Sequence, residues 1–103
     1  MIAANGLVLL HQILNKNSPF LTAALRIAKE TIDLSVSSDR ASFSFADDGK
    51  VSVESGSWDG ILMNATANNN ENAVVRYSDH GLVYADYYFL EFGNKLLRMG
   101  MVL

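Results

Sequence analysis

The sequence predicts an α+β fold in one domain, residues 1–103, with one or two N-terminal helices packed on a small, mainly antiparallel β-sheet. Three observations carry this. Apolar residues recur at helical spacing over the first third of the chain, the period changes to two between residues 41 and 54, and five of the ten aromatics fall within residues 84–92. A chain of 103 residues removes roughly 65% of its unfolded surface from water, enough for one core and too little for two.

Leu7, Leu10, Ile13 and Leu14 share one helical face, predicting a short amphipathic helix that begins near Asn5 and fades at Asn15-Lys16-Asn17. A second helix over 19–33 has a stripe of Leu21, Ala24, Leu25, Ala28 and Ile32, with Thr22, Arg26, Lys29 and Asp33 facing elsewhere. Its start is marked by Ser18-Pro19. A serine oxygen accepts an orphan backbone N–H, and proline at the first helical position has none to leave unpaired.

Ala41, Phe43 and Phe45 then alternate with Ser42 and Ser44, and Val51 and Val53 with Ser52 and Glu54, around the turn residues Asp47-Asp48-Gly49-Lys50. A β-hairpin over about 40–54 accounts for all of them. Leu34-Ser35-Val36 either extends its first arm or forms a separate short strand. Residues 55–60 read as a loop leading into the apolar piece Ile61-Leu62-Met63, and Asn68-Asn69-Asn70-Glu71-Asn72 as a polar tip. Ala73–Tyr77 reads as a strand and Ser78–Gly81 as a turn. Leu82–Phe92 is then the return arm of a second hairpin, because Tyr and Phe favour a pleated surface. A helix over 83–92 is the competing reading, since Val83, Tyr87 and Leu90 also match helical spacing.

Composition excludes several classes of function. The net charge of −3, with no basic stripe, argues against nucleic-acid binding driven by phosphate contacts. Without cysteine there is no disulfide, thiolate metal site or thiol nucleophile, and a reducing compartment is expected. No apolar run approaches the roughly 20 residues that span a bilayer, and Leu7–Leu10 lacks the basic flank of a signal peptide. An intracellular protein with no membrane association is expected, and the glycosylation-type triplet Asn64-Ala65-Thr66 then reads as chance.

Catalytic constellations are sparse. His11 and His80 read as a helix-surface and a turn histidine, far from the three or four converging ligands of a zinc site. Asp47-Asp48-Gly49 lacks the further oxygen ligands of a calcium loop. Gly56-Ser57-Trp58-Asp59-Gly60 does not complete a Gly-x-Ser-x-Gly elbow, although Ser57 with His80 is the one triad worth testing. Asp86 and Glu91, on a strand, would face opposite sides of the sheet. No nucleotide-cradling glycine motif occurs. Neither a metal nor any other cofactor is expected.

The window Tyr84, Tyr87, Tyr88, Phe89 and Phe92 is the remaining signal. Each large aromatic carries about 150–250 Å² of surface, and so thin a domain cannot cover both faces of one strand. The uncovered face, with the tail Met99–Leu103, is expected to form a subunit interface. The asparagine tip is long enough to reach a neighbour, as loops do in interlocked rings.

Two segments resemble a family. Ser55-Gly56-Ser57-Trp58…Ile61 and, more closely, Tyr84-Ala85-Asp86-Tyr87…Glu91-Phe92-Gly93-Asn94-Lys95 follow the order and approximate spacing of motifs in the small tail-completion (head–tail joining, or neck) proteins of tailed bacteriophages. The amphipathic helix before them is also similar. The Pro-Phe-Leu region that usually follows the second motif is missing, and the hairpin stands where many members continue a helix. The resemblance implies a non-enzymatic virion component, made in the cytoplasm of the bacterial host, that assembles as a homo-oligomeric ring between head connector and tail. Its partners would be copies of itself and other virion proteins. The interface residues expected are Trp58, Tyr84, Tyr87, Tyr88, Phe89, Glu91, Phe92, Asn69 and Asn70.

Two other readings compete. One is an apolar-ligand module, similar to sterol-carrier lipid binders in its helix–hairpin order, with a pocket lined by Phe43, Phe45, Trp58, Tyr84 and Tyr88. The other is an acidic inhibitor or adaptor that binds a single host protein.

Overall fold

The computed structural model describes residues 1–14, 17–54, 56 and 58–101. Its elements in chain order are α1 (Ile2–Leu14), α2 (Phe20–Ser35), β1 (Ser42–Phe45), β2 (Val51–Glu54) and α3 (Val83–Arg98). The fold is α+β, as expected: helices with a small antiparallel sheet.

The core consists of three pairs of side chains, each pair four residues apart on its helix and therefore on one face. Ala4 and Val8 come from α1, Ala24 and Ala28 from α2, and Phe92 and Leu96 from α3. Small residues on α1 and α2 let those two helices approach closely, and the larger pair from α3 fills the space beside them. Asn5 is buried in the same region. Its Nδ2 donates to the carbonyls of Met1 (3.1 Å) and Tyr88 (2.8 Å), and its Oδ1 accepts from Lys95 Nζ at 3.0 Å. One side chain thus satisfies its polar atoms while pinning α1 to α3.

α1 begins at Ile2, earlier than the stripe indicates, and the predicted fading at Asn15-Lys16 lies outside the described residues. α2 runs to Ser35, so Leu34 and Ser35 are helical and only Val36 pairs, in a single antiparallel bridge with Leu62. Ser18 does not cap α2. Pro19 occupies the cap position with its carbonyl accepting from Ala23 N at 3.1 Å, and Ser18 Oγ is hydrogen-bonded to His11 Nδ1 at 3.0 Å.

The hairpin forms in the expected place. Phe43 pairs with Val53 and Phe45 with Val51, so the four apolar residues share one face, and Ser42, Ser44, Ser52 and Glu54 share the other. Gly49 takes φ +79° at the turn, where a Cβ would be strained. The side-chain hydrogen bond from Lys50 to Asp48 (Nζ at 3.0 Å), together with the Lys50 backbone N–H, holds that carboxyl below its ordinary range.

Two predicted strands are absent. Residues 83–98 are helical, which corrects the strand reading of Leu82–Phe92. Asp86 in the first turn and Lys95 and Arg98 in the last complement the helix dipole, and burial of Phe92 and Leu96 overrides the β-propensity of the tyrosines. Ala73–Tyr77 consequently has no return arm, and only single bridges, Asn68 to Tyr77 and Ala65 to His80, tie this region together.

The molecule is flat and open. It measures 55 × 46 × 19 Å, and its radius of gyration is 17.7 Å, against about 13 Å for a compact chain of this length. Every residue of β1 and β2 is exposed, and no helix packs on either strand. The hairpin is an arm, joined to the helices only at its root.

Candidate functional site

The arm's root is built from hydrogen bonds. Ser37 N donates to Ile61 O (2.8 Å) and Met63 N to Ser35 O (2.6 Å), which aligns 61–63 with the end of α2. The Asp86 carboxylate, in the first turn of α3, accepts from Ile61 N through Oδ2 (2.9 Å) and from Leu62 N through Oδ1 (2.8 Å). Leu62 is buried behind this clamp. Asp39 Oδ2 accepts from Trp58 N at 3.1 Å, and Gly56 lies so close to the Asp39 carboxylate that a Cβ there would collide with it. These bonds fix the direction in which the arm leaves the helices.

Two depressions flank the root. One, of about 390 Å³, is lined by Trp58, Asp59, Asp79, His80, Val83 and Asp86. Its histidine is already engaged: Nδ1 is 2.7 Å from Gly81 O and Nε2 accepts from Ala67 N at 3.3 Å, an arrangement that assigns the proton to Nδ1. The other is an apolar cleft of about 210 Å³ where the start of α1, the segment at Leu62 and the first turns of α3 meet; Met1, Ile2, Leu62, Tyr84 and Tyr88 line it.

The expected interface residues divide between several places. Tyr84 and Tyr87 are exposed on α3, and Tyr88 and Phe89 are half-buried; the Tyr87 and Tyr88 rings meet edge to face at 5.2 Å. Glu91 forms a partly buried pair with Lys95 at 3.3 Å. Phe92 is only 3% exposed and belongs to the core, which removes it from any interface. Trp58 is half-buried at the arm's root, and its Nε1 is buried with no hydrogen-bond partner among the described residues. Asn69 and Asn70 are exposed in a turn where Ala73 N donates to Asn70 O. Ser55 and Ser57, hence the serine of the candidate triad, and Val102 and Leu103 of the tail lie outside the described residues. Among the described residues, no group of three or more His, Asp and Glu is placed to hold a metal, and no helix is long and apolar enough to cross a membrane. The five residues expected to line one ligand pocket do not converge. Phe43 and Phe45 are on the arm, Tyr84 and Tyr88 in the cleft, and Trp58 in the other depression.

The largest interactive surface is one that sequence reasoning assigned to a covered sheet. Phe43 (65% exposed), Phe45 (78%), Val51 and Val53 form an apolar strip on the free arm. Leu9, Ile13 and Leu14 on α1 and Val83, Leu90 and Leu97 on α3 are likewise exposed. The accessible surface is 7863 Å², whereas a compact monomer of this mass exposes about 5,700 Å². The difference, roughly 2,000 Å², exceeds the approximately 800 Å² that one partner contributes to a standard interface. The alternation Phe-Ser-Phe and Val-Ser-Val was the available signal for the strip, but alternation identifies an apolar face without saying what covers it.

No family model, curated protein or solved structure matches the chain.

Proposed function

We propose that this chain is a non-enzymatic assembly subunit that closes into a homo-oligomeric ring, and that the ring serves as a joining piece between head connector and tail in a phage virion. The observation that carries the assembly reading is the surplus of apolar surface on an open, flat chain. Roughly 2,000 Å² beyond the compact expectation is enough for two standard interfaces, and a ring subunit needs two because each copy has a neighbour on either side. The neck assignment rests on the motif resemblance, whose stronger half, Tyr84–Lys95, coincides with α3, the helix that holds the root of the arm and lines the apolar cleft.

The apolar-ligand reading has less support, since a cleft of about 210 Å³ falls below the roughly 300–1,000 Å³ of ordinary ligand pockets. Negative-stain electron microscopy of the purified protein, with and without a head-connector assembly, tests the proposal. Closed rings that dock coaxially on the connector are expected. Single chains that neither close nor bind the connector would overturn it.

A further inference from the structure

We propose, building on the assembly reading, that the contact closing the ring is an arm-in-cleft exchange: the apolar strip of one copy's hairpin lies against the next copy, with Phe45 inserted into the cleft between Met1, Ile2, Leu62, Tyr84 and Tyr88. Fit, area and reach support this.

A dry apolar cavity of about 150 Å³ is sufficient to take up a benzene molecule, so a cleft of about 210 Å³ accepts a phenyl ring. Phe45 is the ring nearest the turn and, at 78%, the more exposed of the arm's two. The two Phe rings leave roughly 200–350 Å² in water, and with the two valines the strip approaches half of the approximately 800 Å² that a partner contributes to a standard interface. A strip alone is therefore too small. Where every chain both donates an arm and receives one, strip and cleft together reach the required area.

Reach makes the occupant a second copy. The cleft includes Leu62, at the arm's own root, while Phe45 lies nine residues beyond Val36, up to about 30 Å away. The root is fixed by the Ser37–Ile61 and Met63–Ser35 hydrogen bonds and by the Asp39–Trp58 bond, so the arm points away from its own cleft.

The absence of cysteine makes the test simple. Phe45→Cys and Tyr84→Cys are prepared as separate chains, their helical content is checked by circular dichroism, and they are mixed under mild oxidation. The mixture is expected to yield a disulfide-linked pair containing one of each chain, at least tenfold more than either variant alone. Ile2→Cys replaces Tyr84→Cys if the latter loses its helices. If the unsubstituted protein is oligomeric and no mixed pair forms, the arm-in-cleft contact is overturned and the assembly reading stands. If the unsubstituted protein is a single chain at every concentration and no pair forms, both are overturned. A chain carrying both cysteines that closes on itself at a rate independent of dilution would show that the arm folds back, and would also overturn the exchange.

Discussion

At the scale of single residues, Asn5 shows how few polar contacts this small core depends on. Its amide joins the Met1 and Tyr88 carbonyls to the Lys95 ammonium, bringing α1 and α3 into register. Asn5→Leu leaves a half-buried lysine facing an apolar group and should lower stability by about 1–3 kcal/mol. Lys95→Met in the same chain should recover part of that loss, because replacing both partners by apolar groups removes the unpaired charge. Urea unfolding of the two single variants and the double variant measures this directly. Phe92→Ala should cost more, about 3–5 kcal/mol, since the ring is buried against Ala4, Val8 and Ala24. Asp48 behaves differently because it is exposed. Its lowered pKa favours the folded turn at pH values above the ordinary carboxylate pKa of about 3.9, and that contribution disappears as pH falls through the lowered folded value. The Gly49 and Lys50 amide resonances should therefore shift at acid pH in the native protein, and the Lys50 shift should be lost in Asp48→Asn.

At the scale of elements, the arm's root is held by one carboxylate. Asp86→Ala removes two charge-assisted hydrogen bonds to Ile61 and Leu62 and should destabilise the chain by about 2 kcal/mol, with hydrogen exchange accelerated at those two amides before the helices are affected. The elements differ in how much of them the sequence makes visible. α2 is legible because five apolar residues make a continuous stripe, although the serine before it bonds to His11 instead of capping. The hairpin is legible because strict alternation flanks a turn with a glycine at positive φ. α3 is not. Its tyrosines favour a sheet, and the residues that decide the matter are Phe92 and Leu96, a pair that reaches beyond the window where the aromatics cluster. Tyr84 and Tyr87 were identifiable as surface candidates, while Phe92 was not separable from them, because a residue type does not specify whether its cover comes from the same chain or from another.

At the scale of the whole molecule, a radius of gyration of 17.7 Å and a surface of 7863 Å² describe a chain that has not finished burying its apolar groups. Leaving Phe43 and Phe45 in water forgoes on the order of 25 cal/mol per Å² of apolar area, a strong drive toward association. Phe43→Ser with Phe45→Ser should abolish self-association while leaving the helical circular dichroism unchanged, because no helix packs on either strand. The reading that this chain is an assembly subunit is tested most directly by the mass of the unsubstituted protein in solution, measured by light scattering on a size-exclusion column over a range of concentrations. A mass that is a fixed multiple of 11.3 kDa is predicted, and a mass of 11.3 kDa at every concentration would contradict it.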